Sequence, residues 1–148
     1  MPHLTVDGAA RAIAFYKAAF GAEELFRFET GGRIGHAELR IGGTLVCLAD
    51  PWPGSPAAAP GPAGNPHSSF LVIVSDAGAW LDRAVKHGAK SVMPAQDTFY
   101  GHRCGIVLDP FGHFWNLSQV KEIVSETEMR RRLEDLMKNG GAGCGDHA

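Results

Sequence analysis

Long apolar runs are missing from this chain, and with them most of the features that announce a compartment or a polymeric partner. No stretch approaches the roughly 18 consecutive apolar residues of a membrane span, and the first residues lack the basic segment and apolar core of a secretion signal. Cysteine is scarce. Cys47, Cys104 and Cys144 are three among 148 residues, an odd set without zinc-finger spacing, which predicts reduced thiols in a cytoplasmic protein. Neither sign of charge dominates: 14 Lys and Arg stand against 16 Asp and Glu, so no basic surface for nucleic acid is expected, and no acidic tail. No serine sits in a Gly-x-Ser-x-Gly elbow, and no glycine loop has phosphate-cradling spacing. What is plentiful is apolar side chains, 45% of the chain. That is enough for a real core in one domain or in two small fused modules.

Comparison of the chain with itself favours two modules. "HLTV" reads as a short strand and "DGAARAIAFYKAAFGA" as a helix, with Asp7 as its N-cap, Gly21 as its stop and Ile13, Tyr16 and Phe20 on one face. "EELFRFET", "RIGHAELRI" and "TLVCLAD" then alternate as strands, separated by Gly31-Gly32 and Gly42-Gly43 hairpin turns. The order repeats from His67: strand "HSSFLVIV", helix "SDAGAWLDRAVKHGA" capped by Ser75 or Asp76, and strands "KSVMPAQDTF", "HRCGIVLD" and "FWNLS". Two copies of one βαβββ unit, residues 1–50 and 67–120, follow.

Residues 51–66, "PWPGSPAAAPGPAGNP", are too rich in Pro and Gly for regular structure, and read either as a disordered link or as a lid touching ligand through Trp52. Residues 121–138 hold a third helix, with Ser125 and Glu128 as a capping box and an apolar packing stripe at Met129, Leu133, Leu136 and Met137. Its arginines, Arg130 to Arg132, are expected mostly in solvent. The remainder, 139–148, has no pattern and is expected to be mobile, so Cys144, Asp146 and His147 within it read as coincidence rather than a chelate.

The segments "LTVDGAARAIAFYKAAFGAEE", "GHAELRIGG", "AVKHGA" and "FYGHRCGIVLDPFGHFWNLS" resemble the vicinal oxygen chelate superfamily of glyoxalases, bleomycin-resistance proteins and dioxygenases, most closely its PhnB-like branch. The resemblance covers about residues 1–138. It implies an α+β fold in which two tandem βαβββ modules form curved mixed sheets around a cup-shaped pocket, often closed across a homodimer, with a C-terminal helix beyond them. Strand alternation agrees: Leu4, Val6, Phe70, Val72 and Val74 fall on one face, whereas His3, Thr5, His67 and Ser69 fall on the other, as Phe114, Asn116 and Ser118 do.

In metal-dependent relatives, four inward positions hold the ion. Carried over by position, they fall on Met1 (with His3 two residues along the same face), Cys47, His67 and Asn116. His67 matches a ligand histidine of fosfomycin-resistance relatives, but the usual carboxylate is missing and Asn116 stands where glutamate is placed. An amide is a weaker donor, so no cofactor is expected, with Zn²⁺, Mn²⁺ or Ni²⁺ on His67 and Cys47 as the alternative. Tyr100, His102 and Arg103 lie at a strand entry beside the cup, where Arg103 can clamp an anion or pair with Asp97 or Asp109. Glu38 and His36 are read as pointing in opposite directions from their strand, and Trp115 as core.

The pocket set is therefore His3, Thr5, His67, Ser69, Tyr100, His102, Arg103, Phe114, Asn116 and Ser118. Two functions remain open: a protein enclosing a small organic molecule without metal, or a metal-dependent lyase, thiol transferase or dioxygenase using the ion as Lewis acid.

Overall fold

Strand and helix alternate in this chain as its hydrophobic period switches between two and 3.6. The computed structural model, which describes residues 1–65 and 67–140, runs β1 (His3–Thr5), α1 (Ala9–Phe20), β2 (Glu23–Thr30), β3 (Arg33–Ile41), β4 (Thr44–Ala49), β5 (Ser69–Ile73), α2 (Ala77–Lys86), β6 (Lys90–Asp97), β7 (His102–Leu108), β8 (Phe114–Val120) and α3 (Glu126–Lys138). Gly31 and Gly32 have φ of 57° and 73°, the left-handed pair that a two-residue hairpin between twisted strands demands. Two four-stranded sheets result, ordered β1-β4-β3-β2 and β5-β8-β7-β6. In each, the first strand lies parallel to the last and the other pairs are antiparallel. The expected α+β fold of two repeated βαβββ modules is borne out.

One face of each sheet is sealed by helices. Leu4, Val6, Leu39, Leu48, Val72, Val74 and Leu117 lie in one buried cluster with Ile13, Tyr16 and Phe20 of α1 and Leu81 and Ala84 of α2. The two modules share this core, because Phe20 packs between Trp80 and Trp115, with ring centroids 6.0 and 5.2 Å away. The Arg83 guanidinium of α2 reaches across to donate to the Ala19 carbonyl at 2.6 Å.

The "DPFGHFW" stretch has its explanation here. Asp109, only 2% exposed, accepts four hydrogen bonds: Tyr16 Oη (2.7 Å) and Trp115 Nε1 (2.8 Å) on one oxygen, and the backbone N–H groups of Phe111 (2.8 Å) and His113 (2.9 Å) on the other. The carboxylate shapes the turn before β8 and ties it to α1 of the other module.

Burial, reinforced by the Asp109 charge, holds the Tyr16 hydroxyl well above its ordinary pKa. The folded chain therefore keeps this proton at pH values where the unfolded chain, with a tyrosine pKa of about 10, has lost it. The stabilisation is intact below pH 10 and falls by about 1.4 kcal/mol per pH unit as the pH rises above it. Urea midpoints measured from pH 8 to beyond 11 are expected to fall more steeply in the wild type than in Tyr16→Phe. Equal slopes would refute it.

Three local expectations are corrected. Asp7 does not cap α1: the N-cap is Gly8, and Asp50 supplies the missing acceptor through Oδ1 to the N–H groups of Gly8 (3.1 Å) and Ala9 (2.8 Å), while its Oδ2 takes the Ile34 N–H at 2.9 Å. In α3, Ser125 does accept from the Glu128 N–H, but the Glu128 carboxylate turns to Arg131 and Arg132, which hold its pKa down at about 2. All three arginines are ion-paired: Arg130 with Glu126, Arg131 also with Asp135, and Arg132 also with Glu122. The apolar stripe of α3 is not packed away, since no residue of that helix is buried.

The stretch from 51 to 65 carries turns but no strand or helix. Its second half is docked: the Asn65 N–H donates to the Gly112 carbonyl at 3.1 Å, and a Cβ on Gly64 would meet Phe114 and Leu108 within 3 Å. Trp52 is 49% exposed. No helix among the described residues is long and apolar enough to cross a membrane. Cys144, Asp146 and His147 lie outside the described residues.

Candidate functional site

Helices leave the second face of each sheet free, and strand register decides which side chains share it. Residues directly opposite one another across a ladder point the same way. In the first sheet His3 pairs with Cys47, Cys47 with Glu38, and Glu38 with Phe26, giving one row across four strands. His36, two residues before Glu38, lies on the same face. Its Nε2 approaches Glu38 Oε1 at 3.2 Å, which corrects the expectation that the two side chains diverge: a strand repeats every two residues, so positions two apart cannot point in opposite directions.

This row concentrates donors. The ligand-competent atoms of His3, His36 and Cys47 all lie within 4.8 Å of one another, with His3 exposed, His36 half-buried and Cys47 buried. The His3 and His36 rings are tilted against each other at a centroid distance of 6.3 Å, and Phe26 flanks His36 at 6.2 Å. The Cys47 thiol donates to the Pro2 carbonyl at 3.2 Å. Burial, with a smaller contribution from the Glu38 charge, pushes its pKa up, so the unliganded group is a thiol.

The second sheet has an apolar row and a polar row on its open face. Leu71 pairs with Asn116, which pairs with Ile106, while Ile73 pairs with Ser118, which pairs with Cys104. His102 Nδ1 lies 2.7 Å from Ser118 Oγ, and Cys104 Sγ lies 3.3 Å from both Ser118 Oγ and Tyr100 Oη. Tyr100 and His102 meet edge to face at 5.2 Å. The predicted residues Tyr100, His102 and Ser118 thus form one polar cluster, with Cys104 as a member that sequence reasoning missed. Its place two residues after His102 is the signal that would have found it. Ser118 and Cys104 are fully buried, so neither meets a substrate as a nucleophile.

The other predicted residues are dispersed: Ser69 and Phe114 pair across β5 and β8 on this face, Thr5 lies in β1 of the first sheet, and His67 precedes β5. Asn116 and Phe114 are half-buried, and Thr5 is buried. Ser69 and His67 are exposed, and the His67 N–H donates to Asn65 Oδ1 at 3.0 Å. Arg103, one residue out of phase with His102 and Cys104, pairs with Asp97 at 3.0 Å.

The four slots that relatives use for a metal do not fit a Lewis-acid centre in this chain. They supply an amide at Asn116 and a methionine at position 1, and among the described residues His67 joins no group of three converging His, Cys, Asp or Glu ligands.

The profile of the Glyoxalase/Bleomycin resistance protein/Dioxygenase superfamily matches residues 2–117, and the chain belongs to that superfamily. An uncharacterised protein of Mycobacterium bovis is 42% identical over 136 residues, which cover 89% of this chain and 90% of that protein. Among solved structures, TioX from Micromonospora sp. ML1 is 29% identical with a TM-score of 0.65, covering 84% of this chain and 98% of its own. The PhnB protein of Bacillus cereus, described as a putative 3-demethylubiquinone-9 3-methyltransferase, shares the fold at 19% identity and a TM-score of 0.58, over 80% of this chain and 97% of that one.

Proposed function

We propose that the protein is a PhnB-like, cytoplasmic member of its superfamily that binds a small, amphipathic or partly aromatic organic molecule in a cup formed by the open sheet faces and closed by a second copy of the chain. The observation that carries this reading is the character of the β5–β8 face. Leu71 and Ile73 are 53% and 48% exposed in a strand whose opposite side is sealed under a helix, and they lie near the half-buried Asn116 and His102, the latter held in place by the buried Ser118. An apolar floor with a few convergent polar groups is what a small-molecule site requires. Asn116 places a neutral amide on this face, a group that suits a neutral polar partner better than a divalent ion.

The aromatic anion 8-anilinonaphthalene-1-sulfonate serves as the probe. Saturable fluorescence enhancement is expected. Leu71→Ala and His67→Ala should each weaken it about tenfold while shifting the melting temperature by less than about 2 °C, because both residues are exposed in the single chain. The variants are compared at a concentration where their molar masses match the wild type. Enhancement that fails to saturate, or that both variants leave unchanged, would remove the cup as the binding site.

A further inference from the structure

We infer that the first module holds a thiophilic divalent ion, of which Zn²⁺ is the representative, on His3, His36 and Cys47. The site goes beyond the small-molecule reading above, which is carried by the β5–β8 face, because these three residues lie on the open face of the other sheet. Cys47 is one of the four slots carried over from relatives and His3 lies beside another, but the third ligand, His36 of β3, belongs to none of them, all three come from a single sheet, and the site has no use for His67 or Asn116.

Geometry is the first support. In a tetrahedral zinc site with Zn–N near 2.0 Å and Zn–S near 2.3 Å, neighbouring ligand atoms lie about 3.3–3.7 Å apart. The donors of His3, His36 and Cys47 already converge to within 4.8 Å, so closure needs a shift of about 1 Å. The groups that must move are free to do so, since His3 is exposed near the chain start and His36 is half-buried. Cys47, buried and pinned between β1 and β3 by register, is the fixed point.

Chemistry is the second. Two imidazoles and one thiolate form a set that borderline-soft ions select over Mg²⁺ or Ca²⁺, which prefer oxygen. Glu38 Oε1 sits 3.2 Å from His36 Nε2. A carboxylate accepting from Nε2–H fixes the tautomer that leaves the Nδ1 lone pair free for an ion, the arrangement that orients ligating histidines and raises their basicity. Binding is balanced simply: the Cys47 S–H bond and its hydrogen bond to the Pro2 carbonyl break, an S–Zn bond forms, and one proton leaves to solvent. No oxidant or second reactant is needed. The exposed His3 side leaves the fourth position to water, so the centre resembles a site with three protein ligands rather than a closed structural one.

Co²⁺ added to reduced protein tests the assignment, because a cobalt–thiolate bond gives a near-ultraviolet charge-transfer absorption that imidazole and carboxylate ligands do not. One equivalent per chain is expected to develop this band, and Zn²⁺ to abolish it by displacement. Cys47→Ser should remove it, which separates Cys47 from Cys104 and Cys144. His36→Ala and His3→Ala should each weaken Co²⁺ binding at least a hundredfold, and Glu38→Gln about ten- to a hundredfold. His67→Ala should leave the titration unchanged. Should Cys47→Ser fail to fold, as judged by circular dichroism, the half-buried His36→Ala decides. Absence of the band in the wild type, its persistence in Cys47→Ser or His36→Ala, or its loss in His67→Ala would each overturn the site. None of these results depends on the probe experiment, which reads the other sheet.

Discussion

Asp109→Ala is expected to lose about 3–5 kcal/mol of folding stability, a lowering of the melting temperature by roughly 8–20 °C in a chain of this size. The carboxylate is buried and accepts four hydrogen bonds, two from side chains of different elements and two from backbone. Hydrogen bonds to a charged acceptor are stronger than neutral ones, and truncation also leaves all four donors buried without an acceptor. Total stability of a domain is only about 5–15 kcal/mol, so this single change removes a large part of it. Asp109→Asn should fall between alanine and wild type. One oxygen survives, and Tyr16 Oη can rotate to accept from the new amide, but Trp115 Nε1–H and the backbone N–H groups can only donate. Tyr16→Phe should cost least, about 1–2 kcal/mol, because it removes a donor instead of stranding several. Urea unfolding of the three variants gives the ranking. A loss below 1 kcal/mol for Asp109→Ala would mean that water replaces the carboxylate at no cost, and the turn would then owe its shape to Pro110 and Gly112 alone.

Most of this fold could be read from the chain because its signals are local. β2 and β3 run over the same residues, 23–30 and 33–41, that alternation and the Gly-Gly turns mark out. Asp76 caps α2 through the Ala79 N–H at 3.0 Å, three residues away as a local cap must be. The α1 cap escaped because its acceptor, Asp50, is about 40 residues distant in sequence, and no spacing rule reaches that far. The role of Asp109 escaped for the same reason: "DPFG" reads as a turn, but nothing local says that Tyr16, 93 residues earlier, donates to it.

The site was legible to a different depth. Alternation places Phe114, Asn116 and Ser118 on one face, whereas the distances that join His102, Ser118 and Cys104 depend on the pairing of β7 with β8. The convergence of His36 with His3 and Cys47 depends on three strands meeting in register. Composition shows the two histidines and the thiol, and strand period shows that His36 shares a face with Glu38. Only the order β1-β4-β3 brings His3 to them.

Static light scattering on the purified protein at micromolar concentration is expected to give twice the 15.8 kDa of the chain. Each sheet has one face under helices, and the single core that unites the modules is built on that covered side. The other face keeps Leu71, Ile73, Leu45 and Phe26 in solvent when the chain is alone, and α3 adds Met137 at 72% exposure. Burying a side chain of this kind is worth about 1.5–3 kcal/mol, and a two-fold contact counts each residue twice. The double variant Leu71→Asp, Ile73→Asp places four carboxylates against that contact, and a loss of even 4 kcal/mol is roughly a thousandfold in the dimer dissociation constant. The variant should therefore run as a single chain at concentrations where the wild type is paired. Its far-ultraviolet circular dichroism should be unchanged, because both positions face away from the core. A wild-type mass of one chain would remove the second copy from the cup, and the ligand would then have to be enclosed by the modules of a single chain closing on each other. A variant that remains dimeric would shift the contact from the β5–β8 face to α3, where Leu133→Asp with Met137→Asp becomes the change that separates the copies.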